Sequence, residues 1–406
     1  MISLLAAALV LGSSSSTPES RVDRVVDAAW AASDQIAQVK DDPTATAEKK
    51  HQAELQDDRE IGKKAAAEVD KSEKPSDDKV STERVQRIGK VLATLANQLH
   101  TIASYGDGRL NTFDYQFKLI KGKDVNAFSL PGGYIYVYDG LVSYIESDDE
   151  LAGILAHEIS HAKFRHIATI THQQANLDKI ALPLVLLSIL TGGAAAIMPA
   201  LTTRGLLQTA EGSGWSVQAE TAADFGGLQI LEKSQWNATG LLTTMERLAT
   251  DERFNPLIKD LGIFRTHPPS RERAEALIQR MGEANIPIQR SKVTTSFRAT
   301  ALPQPDGTIE LKFGKAHLVS FAGVGADARA QTAADRLNEF FDSSPGIFQV
   351  SSSADGWVYG RSRPLIKVTP DDAIAAKTTL TSLQGAAVAN IKRSLYTLGY
   401  KTWEGQ

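Results

Sequence analysis

The chain has 406 residues, 42% of them hydrophobic, and 44 Lys+Arg against 48 Asp+Glu for a net charge of −4. That length allows two or three domains with real cores, and the slight acidic balance excludes a generally basic nucleic-acid binder. With no cysteine, disulfides, thiolate zinc sites, iron–sulfur clusters and a cysteine nucleophile are all excluded, so any metal must be held by Asp, Glu or one of eight histidines.

Residues 1–19 open on an apolar run, Met1 to Gly12, followed by Ser13 to Ser16. This is the pattern of a secretory signal without its basic start, and it predicts export to a periplasm or beyond the cell. The run is too short to span a bilayer of ~30 Å as a helix. Residues 20–53 read as a charged, partly helical linker, and Glu54 to Lys71 form a good helical window. After Pro75, Val85, Ile88, Val91, Leu92, Leu95 and Leu99 recur at three- and four-residue steps and predict an amphipathic helix. Asp114 to Ile120 and Gly133 to Tyr138 read as strands, separated by Pro131-Gly132.

Ser147-Asp148-Asp149-Glu150 then opens a helix with a capping box and acidic residues at its positive end. Leu151, Ile154, Leu155 and Ile159 mark its buried face, and it carries His157-Glu158-Ile159-Ser160-His161, an H-E-x-x-H motif. Four residues advance a helix by ~400°, so the two imidazoles lie one turn apart on nearly the same side and can close on one metal ion. Glu158 is rotated away from that line. It can reach the water that a metal activates without being a ligand itself.

Phe164 and Ile167 stand where a metzincin would have Gly and a third His. His166 is expected on the far side of the helix, as a surface residue or one behind the ligands, with no part in holding the metal. The better third ligand lies downstream, in Glu220-Thr221-Ala222-Ala223-Asp224. Glu220 and Asp224 share a helical face at one-turn spacing. Glu220 would complete a His₂Glu site, and Asp224 could accept a hydrogen bond from a ligand imidazole and fix its tautomer.

Asn126 to Gly133 (NAFSLPGG) with Tyr134-Ile135-Tyr136-Val137, the H-E-x-x-H block, Glu220-x-x-Ala223-Asp224, and Thr266-His267-Pro268 with Arg273 stand in an order that resembles the HtpX-like zinc metallopeptidases. These are gluzincin relatives of the CAAX prenyl endopeptidases. The resemblance spans about residues 54 to 282 and implies one Zn²⁺ per chain, ligated by His157, His161 and Glu220, with Glu158 as general base. It implies that Arg273 stands behind the ligands. The strand through Gly133, Tyr134, Ile135 and Tyr136 is expected at a sheet edge, where it would hold an extended peptide substrate by β-strand addition. His267 is expected either to approach the metal or its water, as a resting-state plug or an oxyanion stabiliser, or simply to pin the end of the domain. The integral-membrane members' spanning helices have no counterpart here. The one long uncharged stretch, Ile180 to Thr203, is divided by Pro183, Gly192-Gly193 and Pro199, and reads as an apolar helical hairpin that could touch a membrane surface.

The chain is therefore read as α+β: a mostly helical zinc metallopeptidase domain over 54–285, a linker at 286–298, and a small α+β domain over 299–406. In the last of these, Ile309 to Ala322 reads as one strand and the stretch from Pro370 as one long helix; His317 is expected as a packed or edge residue. The expected activity is hydrolysis of unfolded or extended polypeptides, with a role in the quality control of exported or membrane-associated proteins. The rival is a zinc-stabilised chaperone that holds clients without cutting them. The intact Glu158 argues against it, because a binder needs the ligands but not the base.

Overall fold

The computed structural model describes residues 43–173, 214–254 and 270–398. The chain divides into one unit ending at Gln56 and a second from Asp57 onward, which carries both the motif-bearing region and the C-terminal module. The apolar N-terminal run, the Ile180 to Thr203 hairpin and His267 lie outside the described residues. Among the described residues, no helix is long and apolar enough to cross a membrane.

Helix α1 (Pro43–Ser72) includes the expected window as its second half, and α2 (Lys79–Gln98) is the amphipathic helix. The latter is capped by Asp78, whose side chain accepts from Ser81 N, and it buries Val85, Ile88 and Leu92. Strands β1 (Gln116–Ile120), β2 (Ala127–Leu130) and β3 (Tyr134–Tyr138) form a three-stranded sheet in the order β1-β3-β2. Ala65, Ala66 and Val69 of α1 cover one face of it, against Phe128, Leu130, Tyr136 and Tyr138.

That order corrects one expectation. The strand beginning at Tyr134 is central: β1 pairs with it in parallel and β2 antiparallel, so both of its edges are taken. The sheet's edges are β1, whose outer side is partly taken by residues 74–76, and β2. Gly132 (φ 76°) and Gly133 (φ 92°) turn the chain back tightly enough to make β2 and β3 neighbours.

Helices α3 (Asp139–Tyr144), α4 (Asp148–Lys163), α5 (His166–Gln173), α6 (Gly214–Glu232), α7 (Thr239–Phe254) and α8 (Ser270–Glu283) follow. Helix α4 runs through the middle of this region and packs against α2, α6, α7 and β2. Nearly all of its residues are buried, which explains why its sequence is apolar on more than one face.

The C-terminal module has two antiparallel sheets, β4 (Ala299–Pro303), β5 (Ile309–Phe313), β6 (Ala316–Phe321) and β7 (Val350–Ser352), β8 (Trp357–Gly360), β9 (Arg363–Lys367). Between and after them lie α10 (Ala326–Asp342), α11 (Pro370–Ala375) and α12 (Leu380–Leu398). The single strand expected over 309–322 is a hairpin. Gly314 (φ +55°) turns it where a Cβ would lie 2.4 Å from Ser296 O. The expected long helix breaks at Lys377 (φ 54°) and restarts with Thr379 Oγ1 accepting from Ser382 N. His317 lies on the edge strand β6, with Nδ1 2.9 Å from Glu310.

The stretch expected as a linker is a packed joint. Its short helix α9 (Arg290–Val293) buries Arg290 at 2% exposure, where the guanidinium grips both oxygens of Glu246 on α7 and donates to Phe341 O of α10.

Candidate metal centre

Helix α4 begins as its sequence specifies, with Ser147 Oγ accepting from Glu150 N at 3.2 Å. The reciprocal half of the capping box is diverted: Glu150, fully buried, accepts from Glu146 N at 2.8 Å and pairs with Arg247 at 2.6 Å. Asp148 is held by Arg84 and Arg87, and Asp149 accepts from Asn237 N. The helix that carries the motif is thus anchored at its start from three other segments.

Two turns on, His157 (2% exposed) and His161 point their Nε2 atoms together at 3.0 Å. Helix α6 supplies the facing group. Glu220, Asp224 and Gly227 recur at i, i+4 and i+7, which is one stripe of a helix. At the end of that stripe Gly227 lets the backbones meet, because a Cβ there would lie 3.1 Å from His157 N. The close approach brings Glu220 Oε2 to 3.4 Å from His157 Nε2 and Glu220 Oε1 to 3.3 Å from His161 Nε2.

Three ligand atoms on a tetrahedral ion with bonds of about 2.0–2.1 Å lie roughly 3.3–3.4 Å apart. The separations here, 3.0, 3.3 and 3.4 Å, fit that triangle, and the three residues form a cluster able to hold a metal ion. Nitrogen and carboxylate donors in this ratio suit zinc. Charge points the same way. Glu158, Glu220 and Asp224 outnumber the Arg273 guanidinium in a nearly dry site, an excess of acidic groups that a divalent cation would balance.

Behind the triangle, His157 Nδ1 lies 2.9 Å from Asp224 Oδ1. A carboxylate only accepts, so Nδ1 carries a proton and Nε2 is the atom turned to the site. Arg273 on α8 fixes Asp224 with two bonds of 2.7 Å and reaches Glu220 Oε2 at 2.9 Å. The structure therefore brings His157, His161, Glu158, Glu220, Asp224 and Arg273 into one cluster.

The electrostatics follow from this packing. Burial opposes a charge on His157, but hydrogen bonds to Asp224 and Glu220 outweigh it and push its pKa up to about 9. Asp224 resists burial likewise, and the Arg273 guanidinium holds its carboxyl below the usual range. Burial lowers His161, despite the opposing pull of Glu220. Glu158, 2% exposed, contributes to the field felt by both His161 and Arg273.

Of the two positions expected for His166, the structure gives the one behind the ligands, but not on the far side of the helix. Helix α4 ends at Lys163, Arg165 takes a left-handed conformation (φ 52°), and His166 starts α5 facing back toward the site. It is 2% exposed, with Nδ1 2.9 Å from His161 Nδ1. Burial, together with the neighbouring His161, holds its pKa well below the ordinary histidine value. Periodicity had extended α4 straight through this point, and an arginine carries no sequence signal for a left-handed turn.

Residues 81–281 match the family model for Peptidase family M48. The Beta-barrel assembly-enhancing protease of Yersinia pestis is 29% identical over 196 residues, covering 47% of this chain and 37% of that protein. Metalloprotease LoiP of Escherichia coli K12 is 28% identical over 194 residues, covering 47% of this chain and 72% of LoiP. The mitochondrial metalloendopeptidase OMA1 of Schizosaccharomyces pombe is 28% identical over 178 residues, 44% of this chain and 50% of OMA1. The chain spans well under half the length of the assembly-enhancing proteases it matches.

Proposed function

We propose that this chain, which belongs to Peptidase family M48 through residues 81–281, is a zinc-dependent endopeptidase acting on unfolded or extended polypeptide. The observation that carries this reading is the triangle of His157, His161 and Glu220 with the buried Glu158 beside it. When bound, zinc lowers the pKa of a water toward ~7 and polarises the scissile carbonyl. Glu158 takes the proton of the attacking water and hands it to the leaving amine. Asp224 keeps the His157 proton on Nδ1, and Arg273 keeps Asp224 and Glu220 in register with it.

For substrate, the more open of the sheet's two edges among the described residues is β2, because the outer side of β1 already bonds the 74–76 segment through Ser76 N to Leu119 O and Lys121 N to Lys74 O. Tyr138 N bonds Asn126 O, so alternation along an antiparallel pair turns the backbone groups of Ala127 and Ser129 away from β3. An extended peptide would add there, one strand from α4. The apolar segment Met1 to Gly12 supports action on exported proteins, and similarity to a Beta-barrel assembly-enhancing protease supports a role in their quality control.

The test is Glu158→Gln in the full chain loaded with zinc, assayed on unfolded casein. The amide is nearly isosteric but cannot take the water's proton, so turnover should fall by at least ~10²-fold while zinc content stays near that of the unaltered chain. Unchanged turnover would reject Glu158 as the base. If the unaltered chain binds casein without cutting it, the client-holding reading replaces this one.

A further inference from the structure

The ring that touches His161 from behind has a defined chemical task. His166 Nε2 lies 3.3 Å from the carbonyl oxygen of Tyr105. A carbonyl only accepts, so in the neutral ring the single proton sits on Nε2 and Nδ1 is left as an acceptor. Among the described residues, the polar partner at hydrogen-bond distance from that Nδ1 is His161 Nδ1, at 2.9 Å. Two bare nitrogens would repel, so His161 must carry its proton on Nδ1. Its Nε2 lone pair then faces His157 and Glu220.

We infer that His166 is a positioning residue: it fixes the tautomer and ring plane of His161, as Asp224 does for His157, through a chain from Tyr105 O to His166 to the metal-facing Nε2. The inference rests on the proposed zinc site and deepens it. The two ligands of one motif are thereby oriented by different chemistry, one by a carboxylate and one by a neutral imidazole backed by a backbone carbonyl. The neutral partner adds no further negative charge on the His161 side of the site.

The local backbone is built to hold this chain in place. Arg165, 7% exposed and left-handed, is what turns His166 back toward His161. Its guanidinium is clamped by Asp58 at 2.5 Å and by Asp107 at 3.0 Å, charge-assisted bonds that offset the cost of the backbone conformation. Asp107 N in turn donates to Phe164 O at 2.8 Å. Beside it Gly106 (φ +88°) lets the 105–107 segment lie against the ring, since a Cβ there would come within 2.8 Å of His166 Cδ2 and 2.4 Å of Phe164 O. The acceptor of the His166 proton is thus fixed from both sides.

The experiment compares His166→Phe, which keeps a ring and removes the acceptor, with His166→Asn, whose Oδ1 can accept where Nδ1 did. Zinc affinity of the full chain is measured by chelator competition, with folding followed by circular dichroism. His166→Phe should weaken zinc binding by roughly 10–100-fold, the usual cost of losing a hydrogen-bond partner of a ligand, and His166→Asn should recover most of it. Equal zinc affinity for folded His166→Phe and the unaltered chain would overturn the inference, as would an Asn variant that folds and binds no better than the Phe variant. Should the variants fail to fold, long-range ¹H–¹⁵N spectra of the unaltered, zinc-free chain decide the matter. The His161 proton is expected on Nδ1, and a proton on Nε2 overturns the assignment. None of these readouts uses peptide hydrolysis, so a failure of the protease reading alone would leave them unaffected.

Discussion

Around α4 the interior is crowded with charge, whereas the C-terminal module is held together by hydrocarbon. Glu150 with Arg247, Arg273 with Glu220 and Asp224, Arg165 with Asp58, and Arg290 with Glu246 are all at or near full burial. In the module, Leu311, Phe321, Leu337, Phe341, Val358, Ile366 and Ile391 fill the centre, and the buried Asp372 with Arg329 is the chief exception. Burying an ion pair gains little over packing apolar groups of the same size, and breaking one is expensive. A region that needs only to stay folded has no reason to accumulate such pairs. Their concentration around one helix marks where fixed charge is used for something besides stability.

Two substitutions put the contrast to a test, and their effects are the largest expected. Arg273→Ala strands Asp224 and Glu220 without their cation and should cost about 3–5 kcal/mol in denaturant unfolding, together with weaker zinc binding. Leu337→Ala, at a site with no exposure, opens a cavity in the module and should cost roughly 2–5 kcal/mol. In that variant, zinc affinity per folded molecule should be unchanged. A Leu337→Ala chain that loses zinc affinity as Arg273→Ala does would show that the two interiors are not separate.

A smaller effect sharpens the same contrast within the site. Asp224→Asn keeps the volume and one acceptor but loses the charge that Arg273 and His157 both meet. Zinc affinity should fall by roughly 10–100-fold, measured by chelator competition. A fall as large as that from removing Glu220 would make Asp224 a ligand, in conflict with its placement behind His157.

What the sequence revealed follows the range over which each signal acts. The motif helix, its Ser147 cap and the pairing of Glu220 with Asp224 were legible because each depends on spacing within a few turns of helix. Sheet order was not. The aromatic and β-branched content that marks Gly133 to Tyr138 as a strand says nothing about which neighbours it has, and a strand buried on both sides reads much like an edge. The capping-box partner of Ser147 was visible, but not that Arg247, nearly a hundred residues away, would claim the Glu150 carboxylate. For His166 the choice between a surface position and one behind the ligands was not legible, because the left-handed turn at Arg165 is held by Asp58 and Asp107, contacts that no window of sequence contains.

The smallest expected effect lies at the joint between the two regions. Glu146, just before α4, accepts from Ser296 N at 2.9 Å and Thr295 Oγ1 at 2.7 Å, and also from the hydroxyls of Thr294 and Ser296. Arg247 lies 3.5 Å away, and the carboxyl of Glu150 is nearby through Glu146 N. Burial alone would raise the pKa of Glu146, but the hydrogen bonds from Ser296, Thr294 and Thr295 outweigh it and bring the value down to about 2. A carboxyl whose folded pKa is depressed adds stability that is fully present above its unfolded value of 4.5, and loses it as pH falls through the range from 4.5 to about 2. The side chain is partly open to solvent, so screening reduces what the shift alone would imply, to about 1 kcal/mol. Glu146→Gln should therefore be less stable than the unaltered chain at pH 7, with the gap closing as unfolding is measured toward pH 3. A gap that stays constant over that range would mean that the joint is held by packing through Arg290 and Val293, and that the carboxylate contributes only its shape.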